Sequence, residues 1–449
     1  MLSNVRERGR TTGALNRRVG LEQEFFLVEE SGMPSDRADE FLLCCREVTG
    51  REGSSPACFA PEFVMSLVEI NTPPVYTLAE LEREYLNNLR LALRTARSLG
   101  IRLYPLGTHP LPLEPAMRAE LDYLVQDRTV GPERFVHAGR CAGMHLHLEL
   151  AEGTVDPSAG IAASAPEGAR VEALNLYNLA TALDPALISL TRSCPFYEGI
   201  NDGMAARTAL YRGDPELAPR GLYALLQSVG GLLPYAGSAE ELVEQQFARY
   251  YAWLETLDQA GIERRLFFEL GGGLLQASSW NPVRLNAHGT VELRGIDSNY
   301  PETVLAISSL VGAAADRVRR ESLSVRPREN LRVFEVARGT LSVPSFGYLD
   351  GELFRAAVTG GTESPAVNSY LDSVLRFSGA GSGFGAFWLG ERYRTTEARI
   401  LRDLASPVSW ISVEKGLELV CEACDELEKQ VTSLQREAAE AAKAGANGD

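Results

Sequence analysis

The chain has no run of about 18 consecutive apolar residues, the least that a membrane-spanning helix needs, so no membrane span is expected. It has no GxxxxGK[ST] loop, which excludes a P-loop nucleotide site, and no HExxH or paired CxxC motif, which removes the usual signs of a zinc centre. Basic residues are in deficit, with Lys+Arg 44 against Asp+Glu 60 and a net charge of -16. A surface this acidic does not neutralise phosphates over a broad area, which argues against a nucleic-acid partner. Any anionic nucleotide would need cations recruited at one place. Cysteines are few and scattered, at 44, 45, 58, 141, 194, 421 and 424, and the basic N-terminal stretch MLSNVRERGRTTGALNRR lacks an apolar core. That stretch reads as a disordered lead-in rather than a signal peptide, and reduced thiols in a cytoplasmic protein are the expectation.

What is present is globular: 449 residues, 45% hydrophobic and 23% charged. Length alone suggests about three domains, but large α/β enzymes often exceed that rule as one unit. The expected division is a lead-in over 1–17, a single catalytic domain over 18–412 with a surface loop at 152–169, and a C-terminal helix and tail over 413–449. The stretch RRVGLEQEFFLVEE alternates as a strand should, and FVMSLVEINTPP is a second extended segment ending at two prolines. A helix follows from Thr77 to Leu99, with Thr77 as N-cap, Glu80 at N3 and Gly100 as the stop. Further helices are expected near 115–127, from 171 with a break near Pro185, over 239–260 and over 301–322. Extended segments are expected at GMHLHLEL (143–150), 265–270 and 290–297. Residues 413–445 are heptad-like at Leu417, Val420, Cys424 and Leu427, which suits either a helix docked on its own chain or a homo-oligomer seam. The Gly-rich stretch SGAGSGFGAF, with Gly379, Gly381, Gly383 and Gly385, misses the GxGxxG spacing and reads as a flexible turn.

Three of the strand segments carry polar pairs at i and i+2: Glu22/Glu24, His145/His147 and Glu292/Arg294. Each pair must face one way. Such a face either meets solvent or lines a cavity. Phe25, Leu146, Leu148, Val291 and Leu293 would cover the opposite face, leaving the polar side as the concave, working side of an antiparallel sheet. If Glu22, Glu24, Glu69 and Glu292 share one site they repel one another unless a cation neutralises them, and oxygen-rich ligation favours magnesium or manganese. The CEAC of Cys421 and Cys424 has no second pair and reads as packing, as do Cys141 and Cys194.

Six blocks resemble the glutamate-cysteine ligase family, in its carboxylate-amine ligase branch. They are GLEQEF (20–25), EINTPP (69–74), GTHP (107–110), GMHLHLEL (143–150), SCPFYEGINDGMAARTALYR (193–212) and GTVELRGIDSN (289–299), in the family's order. The resemblance implies an α+β fold like the catalytic domain of glutamine synthetase, an antiparallel sheet backed by helices. It implies ATP and Mg2+ (or Mn2+) as cofactors, with Glu22, Glu24, Glu69 and Glu292 holding the metal ions and His145 or His147 adding a ligand or meeting the nucleotide phosphates. Arg294 would stabilise charge on the transferred phosphoryl group, Glu24 sits at the chemistry, and Arg207 and Arg212 are candidates for a substrate carboxylate or phosphate. The implied reaction joins glutamate to cysteine, or to another amine, through a γ-glutamyl phosphate. The late block WNPVRLNAHGTVELR keeps Trp280, Arg284 and the strand, but its spacing departs from the family pattern in the region of the amine pocket. From a different class, a metallohydrolase could use the same Glu and His cluster to activate water. Beyond residue 300 there is no motif to carry over.

Overall fold

Strand β1 (Val19–Glu29) is the axis of the molecule. Its period-two pattern sends Leu21, Gln23, Phe25 and Leu27 to one face and Glu22, Glu24, Phe26 and Val28 to the other. In the computed structural model, which describes residues 15–52, 58–379, 394–404 and 408–446, six more strands join it. These are β2 (Phe59–Pro61), β3 (Leu67–Asn71), β4 (Ile101–Tyr104), β5 (Gly143–Glu149), β6 (Val283–Asn286) and β7 (Thr290–Asp297). The sheet runs β2-β3-β1-β5-β7-β6, with β4 also paired to β1, and every pairing is antiparallel. The mixture of helices with an antiparallel sheet is the expected fold class.

Register decides which side chains meet. Glu22 lies opposite Asn71 on β3 and His145 on β5, while Glu24 lies opposite Glu69. His147 faces Glu292 on β7, which in turn faces Arg284 on β6. Directly opposed residues of an antiparallel pair share a face, so five strands deliver their charged or titratable residues to one side. Leu21, Phe25, Leu146, Leu148, Val291 and Leu293 enter the main hydrophobic core on the other side, as the alternation predicts.

Helices cover that core face. Helix α1 (Leu78–Ser98) opens on the expected capping box, Thr77 and Glu80 each accepting the other's backbone N–H at 3.1 Å, and Gly100 leaves it at φ +67°. Helix α2 (Glu167–Thr191) runs unbroken through Pro185, contrary to the break expected there. Every residue from Ala173 to Thr191 is buried, so packing on all sides holds the helix although Pro185 offers no N–H. Helices α3 (Ala239–Gln259) and α4 (Pro301–Arg320) match expectation, α4 with its proline in the first turn.

Three local expectations need correction. Residues 264–269 are helical, not extended, and Arg265 pairs with Glu269 one turn on at 2.8 Å; a short apolar run does not by itself distinguish strand from helix. The helix expected near 115–127 lies at Leu121–Val130. The loop at 152–169 holds a small ladder of Val155–Asp156 with Gly160–Ile161 and already enters α2 at Glu167. Residues 1–14 of the expected lead-in, and Gly381, Gly383 and Gly385, lie outside the described residues.

The last helix, α5 (Val413–Ala446), packs on its own chain. Val420 and Cys424 cover Phe26, Val28 and Tyr104, while Leu427, Val431 and Leu434 join the main core. The face of β1 that carries Glu22 and Glu24 is thus sealed a few residues further on. Among the described residues, no helix is long and apolar enough to cross a membrane. Replacing Thr77 by alanine removes one half of the α1 capping box and should lower stability by about 1 kcal/mol. Urea denaturation should show a lower midpoint with an unchanged slope.

Candidate active site

Carboxylates from β1, β3 and β7, and one beyond β2, meet on the polar face of the sheet. Three groups of donor atoms each lie within 4.8 Å of one another: Glu22, Glu69 and His145; Glu22, His147 and Glu292; and Glu24, Glu62 and Glu69. The four acids inferred from sequence therefore share one region, as the convergence reading requires. Glu62 is the addition. Ala60 pairs with Glu69, so residue 62, two further on, falls on the same face; Pro61 hides this in the sequence because a proline argues against a strand.

The two ends of the cluster differ electrostatically. Glu292 is fully buried; burial would raise its carboxyl, but the guanidinium groups of Arg284 and Arg294 and the two histidines hold it well below the usual range. Arg284 donates to it at 2.7 Å and Arg294 at 2.6 Å, and Asn286 adds a further bond. Burial would likewise raise Glu22, yet its hydrogen bond with His145 and the close approach of His147 outweigh that and keep it ionised. At the other end the charge of Arg294 opposes the rise but does not prevail. Burial, together with the charges of Glu22 and Glu24, pushes Glu69 up to about 8, and burial beside Glu24 and Glu69 pushes Glu62 well above its ordinary value.

Both histidines face this cluster. His145 Nδ1 lies 3.2 Å from Glu22 Oε2 and its Nε2 3.5 Å from Glu24 Oε1. Burial and the charge of Arg294 lower its pKa and keep it neutral. His147 bonds Thr290 Oγ1 at 2.9 Å through Nδ1, while its Nε2 lies 3.2 Å from Glu22 Oε1 without hydrogen-bond alignment. Burial lowers His147, but the nearby carboxylates of Glu22 and Glu292 prevail and raise it. Each ring thus presents a buried Nε2 with no hydrogen-bond partner towards the acids. Unsatisfied ring nitrogens and carboxylates that resist ionisation fit a divalent cation, and oxygen-dominated donors suit magnesium or manganese.

Arg207 and Arg212 part company. Arg207 is buried, lies over the Tyr211 ring, and has a buried Nε without a partner. Its guanidinium crosses Gly143, where any Cβ would overlap it, and the Gly143 N–H donates to Glu24 Oε2 at 2.5 Å. Arg207 therefore stands at the edge of the acidic cluster. Arg212 does not reach it: its fork is occupied by Asp184 at 2.6 Å and Asp350 at 2.5 Å, which makes it a buried ion-pair bridge rather than a free anion binder. Sequence reasoning missed this because both partners lie in segments without a motif. Cys141 and Cys194 are buried, and burial pushes the Cys141 thiol up to about 12, so neither is a ready nucleophile.

Known proteins resemble this chain in sequence and in fold. A family model described as glutamate-cysteine ligase family 2 (GCS2) matches residues 18–333. The glutamate–cysteine ligase of Halobacterium salinarum is 27% identical over 302 residues, 64% of this chain and 66% of the relative. A putative glutamate–cysteine ligase 2-3 of Rubrobacter xylanophilus is 28% identical over 311 residues, 68% of this chain and 71% of the relative. The match thus spans just under two thirds of the halobacterial protein's length. Among solved structures, a bifunctional glutathione synthetase from Pasteurella multocida superposes with a TM-score of 0.51 at 14% identity, covering 96% of this chain and 53% of that one. A glutamate–cysteine ligase from Francisella tularensis in complex with AMP gives 0.50 at 10% identity, covering 96% and 94%. At those identities the shared property is the fold. Since the family match takes in every strand of the main sheet and all the clustered acids, the chain belongs to glutamate-cysteine ligase family 2.

Proposed function

We propose that the protein is an ATP-dependent ligase that joins the γ-carboxyl of glutamate to a small amine through a γ-glutamyl phosphate. The observation that carries this reading is the gathering of Glu22, Glu24, Glu62, Glu69 and Glu292 around His145, His147 and Arg294. Magnesium or manganese held by these acids and histidines would screen the negative charges of ATP and glutamate as they are brought together.

The chemistry balances without a protein nucleophile. An oxygen of the glutamate γ-carboxylate takes the terminal phosphoryl group and ADP leaves. The amine nitrogen then attacks the acyl carbon, the bond to phosphate breaks, and the nitrogen gives up a proton. The chain's own task is to position and neutralise. Arg294, anchored by Glu292 and with a buried, unpartnered Nε, faces charge on the phosphoryl group. Arg207 grips a substrate carboxylate or phosphate. The relatives are glutamate–cysteine ligases by name, which makes cysteine the first acceptor to test and would place the product on a route to a thiol such as glutathione. A different amine is the second reading, favoured by a cavity beside Trp280.

Glu24→Gln should abolish ADP release from ATP and glutamate while the circular-dichroism spectrum stays unchanged; retained turnover removes Glu24 from the mechanism. Glu292→Gln should also be inactive, but it leaves two guanidinium groups without their buried counter-charge and should destabilise by about 3 kcal/mol or more, measured by denaturation. Arg294→Lys should lose most of its turnover, because a point charge does not replace the planar fork; near-normal rates assign Arg294 to structure alone.

Metal binding should compete with protons. Glu69 titrates at about 8 and is protonated below that, so a cation has to displace its proton and affinity should fall as pH falls. Mn2+ titrations near pH 6.5 and near pH 8.5, followed by calorimetry in buffers of different ionisation heat, should show weaker binding and greater proton release at the lower value. Equal affinity and no proton release at both contradict the assignment of Glu69 as a ligand.

A further inference from the structure

Two cavities meet at Trp280. One is a cleft of only about 20 Å³ whose walls include Arg207, Tyr211 and Arg294. The other, of about 270 Å³, also has Trp280 in its wall. Its walls come from the helix Leu121–Val130, the helix Arg264–Glu269 and the segment that leads into β6. Trp280 is held firmly in place. Its ring stacks on Tyr223 with centroids 5.7 Å apart and meets Trp253 edge-on at 4.9 Å. Two residues on, the Pro282 carbonyl accepts the Arg294 N–H at 2.7 Å, which ties this wall to the strand that carries Glu292.

The larger cavity has its own chemistry. Phe267 and Trp280 supply aromatic surface, and Gln126 and Gln276 supply amides. The Gln276 Oε1 is buried and has no hydrogen-bond partner. Asp122, exposed at the rim, is the one charged residue among those that line it. A wall with acceptors, aromatic faces and one negative charge suits a group that donates hydrogen bonds and carries positive charge. It is ill suited to a phosphate or a carboxylate. The short CH2–SH of cysteine would leave most of this space unfilled.

We propose that this cavity is the acceptor subsite and that the preferred acceptor is an amine bearing a second, cationic nitrogen, such as a diamine or a basic amino acid. The inference rests on the ligase reading above. Asp122 and the Gln276 carbonyl oxygen hold the distal ammonium, the hydrocarbon stem lies along Phe267 and Trp280, and the reacting nitrogen points past the indole towards Arg207 and Arg294. The near nitrogen must be neutral to attack. The far nitrogen keeps its charge beside Asp122.

The test compares acceptors in the full-length protein with ATP, glutamate and Mg2+. Hydroxylamine, which is too small to need the subsite, should trap the acyl phosphate as γ-glutamyl hydroxamate; absence of the hydroxamate overturns the ligase reading and this inference together. With hydroxamate formed, lysine and 1,5-diaminopentane should be used at least about tenfold more efficiently than cysteine, by kcat/KM. Asp122→Asn and Gln276→Leu should each raise KM for the cationic acceptor about fivefold or more, with KM for ATP and for glutamate and the hydroxamate rate unchanged. Cysteine as the best acceptor, or variants that leave the acceptor KM unmoved, overturns the inference while the ligase reading stands. A rise in KM for ATP instead assigns the cavity to the nucleotide base and overturns it equally.

Discussion

Negative charges that repel one another set the terms for this molecule. Glu22, Glu24 and Glu69 stand on neighbouring strands, with Glu62 just past the end of β2, in a register that leaves them little room to separate, and burial strips away the water that would otherwise screen them. Glu62 and Glu69 respond by holding their protons. Glu292 escapes that fate because Arg284 and Arg294 flank it. The site is therefore built in two halves, one neutralised by the chain's own arginines and one in which carboxyl groups keep their protons. On the ligase reading proposed above, that division suits a site that brings a nucleotide and an acidic substrate together, since a cation that relieved the acids would also attract the anions.

The scaffold that enforces this proximity extends well past the strands. Arg192 donates to Glu397 through two nitrogens, at 2.8 and 2.5 Å, and also to the Val358 carbonyl at 2.9 Å. Thr396 bonds Asn299 at 2.7 Å, just beyond the end of β7. Asp350 and Asp184 fix Arg212, five residues from Arg207. Residues beyond the family match at 333 thus brace the segments that carry Arg207 and Glu292 through buried polar contacts. Broken one-sidedly, such pairs leave an uncompensated charge, so they hold the segments in one arrangement.

The acids on β1 and β7 were legible because strand periodicity is local, i and i+2 facing one way whatever surrounds them, whereas Glu69 on β3 stood out through the EINTPP block of the family resemblance. The same alternation identified Phe25, Leu146 and Val291 as the core face. The capping box of Thr77 and Glu80 was readable for a similar reason, each residue being close in the chain to the group it satisfies. Pro185 misled because its effect on a helix is local while the packing that overrides it is not. Glu62 was hidden behind Pro61 in a short edge strand, and Arg212 looked free because Asp184 and Asp350 lie 28 and 138 residues away. Long-range polar pairing leaves no periodic trace.

Anomalous diffraction from manganese-soaked crystals tests the shared-cation site most directly. The account predicts strong manganese peaks among the carboxylates of Glu22, Glu24, Glu62 and Glu69 and beside Glu292 and His147. Manganese bound elsewhere on the protein at saturating concentration, with no peak between these side chains, would contradict it.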